Sequence, residues 1–108
     1  LPRQLSYTDT ALADLRAARR WLTQPGAGSA ARRRLLAILD AIDDLRAHPC
    51  RFPVGMHPGV RERLCGGGYQ VFYQVHPDTG SNQTAGDVRV LRVYGPGQDR
   101  RAFNPAAR

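Results

Sequence analysis

Lysine is absent from this chain of 108 residues, and all sixteen of its basic side chains are arginine. An arginine keeps its proton at every ordinary pH, with a pKa above about 12, so it makes a poor general base. Acidic residues are also scarce: nine against sixteen leaves a formal net charge of +7. The rigid guanidinium fork suits phosphates and carboxylates, which favours a nucleic acid or an acidic protein segment as partner. A composition that drifted to arginine for solubility is the plain alternative. Cysteine is limited to Cys50 and Cys65, at no metal-binding spacing. No apolar run is long enough to cross a bilayer and no leader segment is apparent, so reduced thiols in a cytoplasmic protein without a membrane partner are expected. His48, His57 and His76 form no ligand set, and neither a metal nor another cofactor is expected.

What is present is ordered along the chain. The length suits one domain, residues 1–108, with 96–108 expected as a flexible tail. In the second half, Arg61-Glu-Arg-Leu-Cys65 reads as a strand, Gly66-Gly67-Gly68 as a turn that needs positive φ, and Tyr69 to His76 as the returning strand. Tyr69, Val71, Tyr73 and Val75 alternate with Gln70, Phe72, Gln74 and His76. Both faces carry large apolar groups, which predicts an interior strand. Strict alternation over Asp87–Tyr94 sets Arg89, Leu91 and Val93 opposite Val88, Val90, Arg92 and Tyr94. Between these strands, Pro77 to Gly86 is polar and predicts a long mobile loop.

The first half opens with a short strand, Leu5–Thr8, and a helix capped by Thr8 or Thr10 that runs to about Thr23. Its apolar stripe is Ala11, Leu15, Ala18 and Leu22, with Leu12 and Trp21 beside it. Pro25-Gly-Ala-Gly-Ser29 breaks the pattern. A second helix, Ala30 to Ala47, directs Leu35, Ile38, Leu39, Ile42 and Leu45 to a core and stops before Pro49. An antiparallel helical hairpin follows, and it must bury its stripe on the sheet, giving a two-layer α+β domain.

The order β-α-α-β-β-β, with Ala11-Leu-Ala-Asp-Leu15, Ile42-Asp-Asp-Leu-Arg-Ala-His-Pro49, Gly59-Val-Arg61 and Tyr69-Gln-Val-Phe-Tyr73 at these spacings, resembles the RelE/ParE family of bacterial toxins from Leu5 to Asp99. The resemblance implies an N-terminal strand, an antiparallel helical hairpin and a three-stranded antiparallel sheet. It also implies a toxin of a type II toxin-antitoxin pair, held inactive by a cognate antitoxin that covers its helices and sheet, with operator DNA reached only through that antitoxin. Members similar to RelE cut messenger RNA on the ribosome, whereas those similar to ParE inhibit DNA gyrase by binding. A toxin fold without toxicity, serving in an autoregulatory complex, is a third reading.

Cutting RNA requires activation of a 2'-hydroxyl, positive charge for the phosphorane, and an acid for the leaving oxygen. Arg61, Arg89, Arg92 and Tyr94 are the candidates for that work. Yet no lysine exists to serve as base, and Phe103, the aromatic nearest the C-terminus, has no proton to give. These departures favour the gyrase reading. Arg61, Arg63, Arg92, Arg100, Arg101 and Phe103 are then the expected target-binding residues, and Leu12, Arg16, Arg19, Trp21 and Arg34 the expected antitoxin-binding ones. Plain structural roles stand beside each. Arg61 is equally suited to pair with Asp40, Asp43 or Asp44, Trp21 to seal the seam between helix and sheet, and Tyr69 and Tyr73 to fill the core with hydroxyls in water.

Overall fold

The computed structural model describes residues 3–104. Strand β1, Leu5–Tyr7, leads into helices α1, Asp9–Leu22, and α2, Gly28–Asp44; strands β2, Arg61–Gly66, β3, Tyr69–His76, and β4, Asp87–Tyr94, follow, then a short 3-10 turn at Arg100–Ala102. The sheet order is β1-β4-β3-β2. Only β1 runs parallel to its neighbour β4; the hairpin partners are antiparallel. The expected α+β arrangement, with the helical hairpin packed on the sheet, is the one observed.

Thr8 joins β1 to α1 as the N-cap of the helix. Its hydroxyl oxygen accepts from Ala11 N at 3.0 Å and its O–H donates to Leu91 O at 2.8 Å, so one buried side chain caps the helix and ties it to β4. At the other end of the hairpin, α2 stops three residues before the expected Ala47. There Arg46 N donates to Asp43 O and Ala47 N to Asp44 O, tighter i→i+3 bonds that lead into Pro49.

The helix-facing side of β3 supplies Tyr69, Val71, Tyr73 and Val75 to a core shared with Ala11, Ala18, Leu22, Ile38, Ile42 and Leu45. Tyr73 lies wholly buried there, and its hydroxyl donates to Pro49 O at 2.8 Å instead of reaching water. Burial pushes its pKa up to about 12. The three glycines of the β2–β3 turn all take positive φ, 84°, 60° and 83°, a conformation costly for any residue with a Cβ.

Strand β4 departs from simple alternation. Val90 pairs with Tyr73 but Arg92 pairs with Phe72, so Leu91 is an extra residue in a β-bulge. Beyond it the faces are reset: Val88, Val90 and Val93 join the helix-side core, while Leu91 and Tyr94 join a second cluster with Val60, Phe72 and Phe103 on the outer face. Arg89 and Arg92 therefore share the outer face, contrary to the alternation read from the sequence.

The loop from Pro77 to Gly86 is tied down. Gly86 N donates to Pro77 O at 2.9 Å, Cys50 N donates to Asn82 Oδ1 at 2.8 Å, and the Arg3 side chain donates to the carbonyls of Asn82, Ala85, Gly86 and Arg46. Satisfied backbone groups explain why this polar stretch packs where composition alone predicts an open loop.

Candidate functional site

Three arginines expected at a target or catalytic surface are each held by an aspartate. Arg61, only 9% exposed, donates from Nε and Nη2 to the two carboxylate oxygens of Asp78 at 2.8 and 3.0 Å. Its Nη1 reaches Phe52 O at 2.6 Å and Cys50 O at 3.3 Å. The partner is thus in the loop after β3, not among Asp40, Asp43 and Asp44 on α2. Arg63 takes the α2 position instead: Nη1 donates to Asp44 Oδ2 at 2.8 Å and Ala41 O at 2.9 Å, and the guanidinium lies 4.3 Å from the Phe52 ring centre. Both arginines descend from the helix face of β2, where alternate residues of a strand must point the same way.

Arg92 grips Asp14 of α1 with Nε at 2.7 Å and Nη2 at 3.1 Å, and the same carboxylate accepts Val93 N at 2.8 Å. Asp14 thereby closes the part of the β4 edge that β1 is too short to cover. The guanidinium also stacks over Tyr94, 4.4 Å from the ring centre, and Nη1 donates to its hydroxyl at 3.2 Å. Burial first of all raises the Tyr94 pKa, making it a weaker acid than an exposed tyrosine. Arg89 is exposed on the same face.

These pairs carry a pH signature. The Arg61 guanidinium holds the Asp78 carboxyl below its usual range, and Arg63 does the same for Asp44. A depressed folded-state pKa adds stability above the unfolded value, about 4, and loses it as pH falls through the folded value. Urea midpoints are therefore expected to hold from pH 7 to 5 and fall below pH 4. In Asp78→Asn that acid-side slope should be shallower; an identical slope in both proteins would refute the assignment.

The segment after β4 folds back over the sheet as far as the described residues go; 105–108 of the expected flexible tail lie outside them. Phe103 is buried, with its ring 4.8 Å from Phe72 and 4.8 Å from His57, both edge-on. It plugs the outer face rather than standing free for a partner. Arg100 Nη2 donates to Gly68 O at 2.8 Å, whereas Arg101 projects into solvent beside Asp99.

The helical layer divides the five expected antitoxin residues. Leu12, Arg16 and Arg19 of α1 line a groove of about 550 Å3 with Leu35, Leu36, Leu39 and Arg32 of α2. Leu36 and Leu39 are 60% and 43% exposed. Leu39, expected in the core, thus faces the groove because α2 carries a wider apolar arc than the sheet can cover. That excess width is the mark of the groove in the sequence, although residues at the same helical spacing suit a core equally well. Trp21 and Arg34 lie elsewhere: Trp21 is on the opposite flank of α1, 65% exposed and sealing no seam, and the Arg34 side chain lies over Gly67 of the β2–β3 turn.

The family model for the ParE toxin of the type II toxin-antitoxin system parDE matches residues 5–99. The chain belongs to the ParE toxin family. Among solved structures, one described as the chromosomal ParDE TA system from P. aeruginosa is similar in fold, with a TM-score of 0.61 and 21% identity over 84% of this chain and 92% of that one. No curated protein matches the sequence. Membership in the ParE family implies a cognate antitoxin. Among the described residues no helix is long and apolar enough to cross a membrane, and no group of three or more His, Cys, Asp or Glu is placed to hold a metal ion.

Proposed function

We propose that this ParE-family toxin inhibits DNA gyrase by binding it, and that the leucine groove between α1 and α2 receives a helix of the antitoxin. The observation that carries the first part is the engagement of Arg61 and Arg92 with aspartates, while burial makes Tyr94 a weaker acid and the Arg92 guanidinium above it offsets this only in part. Phosphoryl chemistry at a 2'-hydroxyl asks for free positive charge beside a proton donor and acceptor. Locked guanidiniums serve a rigid binding scaffold better. One observation favours the endoribonuclease as a second reading: the β4 bulge brings Arg89, Arg92 and Tyr94 to one face.

Parallel assays separate the two. Purified toxin is expected to inhibit gyrase supercoiling in proportion to its concentration and to leave ribosome-bound transcripts intact. Transcript cutting by wild type that is lost on replacing Tyr94 in a chain that stays folded would reverse the choice. Within the gyrase reading, Arg100→Ala/Arg101→Ala tests the C-terminal segment, since unchanged inhibition would remove it from the target interface.

Groove charge supports the antitoxin part. Arg16, Arg19 and Arg32 line the groove along with its leucines and pair with no carboxylate among the described residues, so an amphipathic helix with acidic residues there is complementary. Leu36→Glu places a carboxylate in the groove wall and is expected to weaken antitoxin binding about tenfold, roughly 1.4 kcal/mol. Calorimetric titration at two salt concentrations would check this, because the arginine contribution is screened and the apolar one is not. Undiminished affinity in Leu36→Glu would place the antitoxin elsewhere.

A further inference from the structure

Only one flank of α1 faces the leucine groove. On the other, Trp21 and Ala17 wall a separate concavity of about 330 Å3, closed by Tyr69 of β3 and by Pro96 and Gln98 after β4. Trp21 is the chain's single tryptophan and is 65% exposed. An aromatic of that size beside a concavity is the residue type most often found anchoring a protein interface.

Two cations lie near this concavity, outside its lining, both held against the glycine turn between β2 and β3. The Arg34 side chain covers Gly67, and its charge is felt at Tyr69. Arg100 donates to Gly68 O at 2.8 Å, and Gly68 in turn packs on Pro96. Neither guanidinium is paired with a carboxylate among the described residues. Asp14, the acid in the wall, is already taken by Arg92 and Val93 N, and Asp99 by Arg101. The site is apolar inside, flanked by positive charge and short of anions.

We propose that this concavity is the target-docking site of the toxin, taking an apolar side chain from an acidic protein surface, with Trp21 as anchor and Arg34 and Arg100 meeting flanking carboxylates. The proposal rests on the reading that the chain acts by binding a protein. The apolar walls argue against a phosphate backbone as occupant, which has no apolar group to fill them. Sharing α1 between the two sites also explains neutralisation. A helix is about 10 Å across, so an antitoxin segment in the leucine groove stands beside Trp21 and obstructs a large target.

Trp21→Ala/Arg34→Glu alters two exposed side chains, and circular dichroism would verify that the fold is retained. Expressed without antitoxin, wild type is expected to arrest growth and the double variant to lose that arrest, while both bind antitoxin with the same affinity. With purified gyrase, the double variant should bind about 30-fold more weakly. Undiminished arrest by the double variant would overturn the site, as would equal loss of antitoxin binding or a wild type that never arrests growth. Plasmid DNA retained on filters by wild type and lost with the double variant would mean a nucleic acid occupant and would also overturn it. Arrest that depends on Trp21 and Arg34 while supercoiling is unaffected by wild type would leave the site standing and remove gyrase as the target.

Discussion

Arg61→Ala is expected to lower the stability of the folded chain by about 2–4 kcal/mol, a fall in Tm of roughly 10–20 °C for a domain of this size. The substitution leaves the Asp78 carboxylate without its bidentate partner and removes donors from the carbonyls of Phe52 and Cys50. Asp78 keeps some access to water, its side chain being 26% exposed, and this holds the cost below that of a fully buried orphan charge. Arg61→Lys, which keeps the charge but not the fork, should fall between. Arg61→Ala/Asp78→Ala should recover part of the loss, because no unpaired charge remains. Thermal and urea denaturation would measure all three. A Tm for Arg61→Ala within two or three degrees of wild type, on the order of 0.5 kcal/mol, would mean that the pair contributes almost nothing. The same measurement guards against a false functional inference, since growth arrest lost with Arg61→Ala reports a weakened fold before it reports a missing contact.

Phe103→Ala is expected to cost about 3 kcal/mol, the lower end for a buried phenylalanine, because the short segment that carries it is able to detach instead of preserving a cavity. Its ring covers Phe72 and adjoins His57 in the outer cluster of Val60, Phe72, Leu91 and Tyr94. Detachment would leave those side chains in water. Two readouts should change together: amide exchange over residues 95–103 should accelerate far more than in the β3 core, and the protein should bind a hydrophobic dye. Exchange in that segment indistinguishable from wild type would show that something other than Phe103 holds it. Arg100 is the obvious second tie, through Gly68 O, and Phe103→Ala/Arg100→Ala should loosen the segment further.

The strands, helices and their order were legible because each rests on local chemistry. Thr8 offers a hydroxyl just where α1 needs an acceptor, Gly66 to Gly68 permit positive φ, and the tyrosine and valine alternation of β3 matches a strand buried on both faces. The family resemblance from Leu5 to Asp99, drawn on those same pieces, agrees with the matched span of residues 5–99. The roles of individual arginines were not legible. Arg61, Arg63 and Arg92 look alike in sequence as free cations. Each is bound to an aspartate 17, 19 and 78 positions away respectively, and separations of that kind leave no periodic mark.

Sequence by itself determined the α+β class, the element order, the glycine turn between β2 and β3, the excess of positive charge and the lack of a lysine base, since these depend on residue type and short-range spacing. Tertiary structure alone decided which face each charge occupies and which charges remain unpaired. One inserted residue at Leu91 moves Arg92 to the face of Arg89, a polar loop carries Asp78 to Arg61, and the segment after β4 lays Phe103 over the sheet. The physical reason is range. Backbone preference acts over a few residues, whereas an ion pair or a buried ring depends on distances that exist only after the chain has closed.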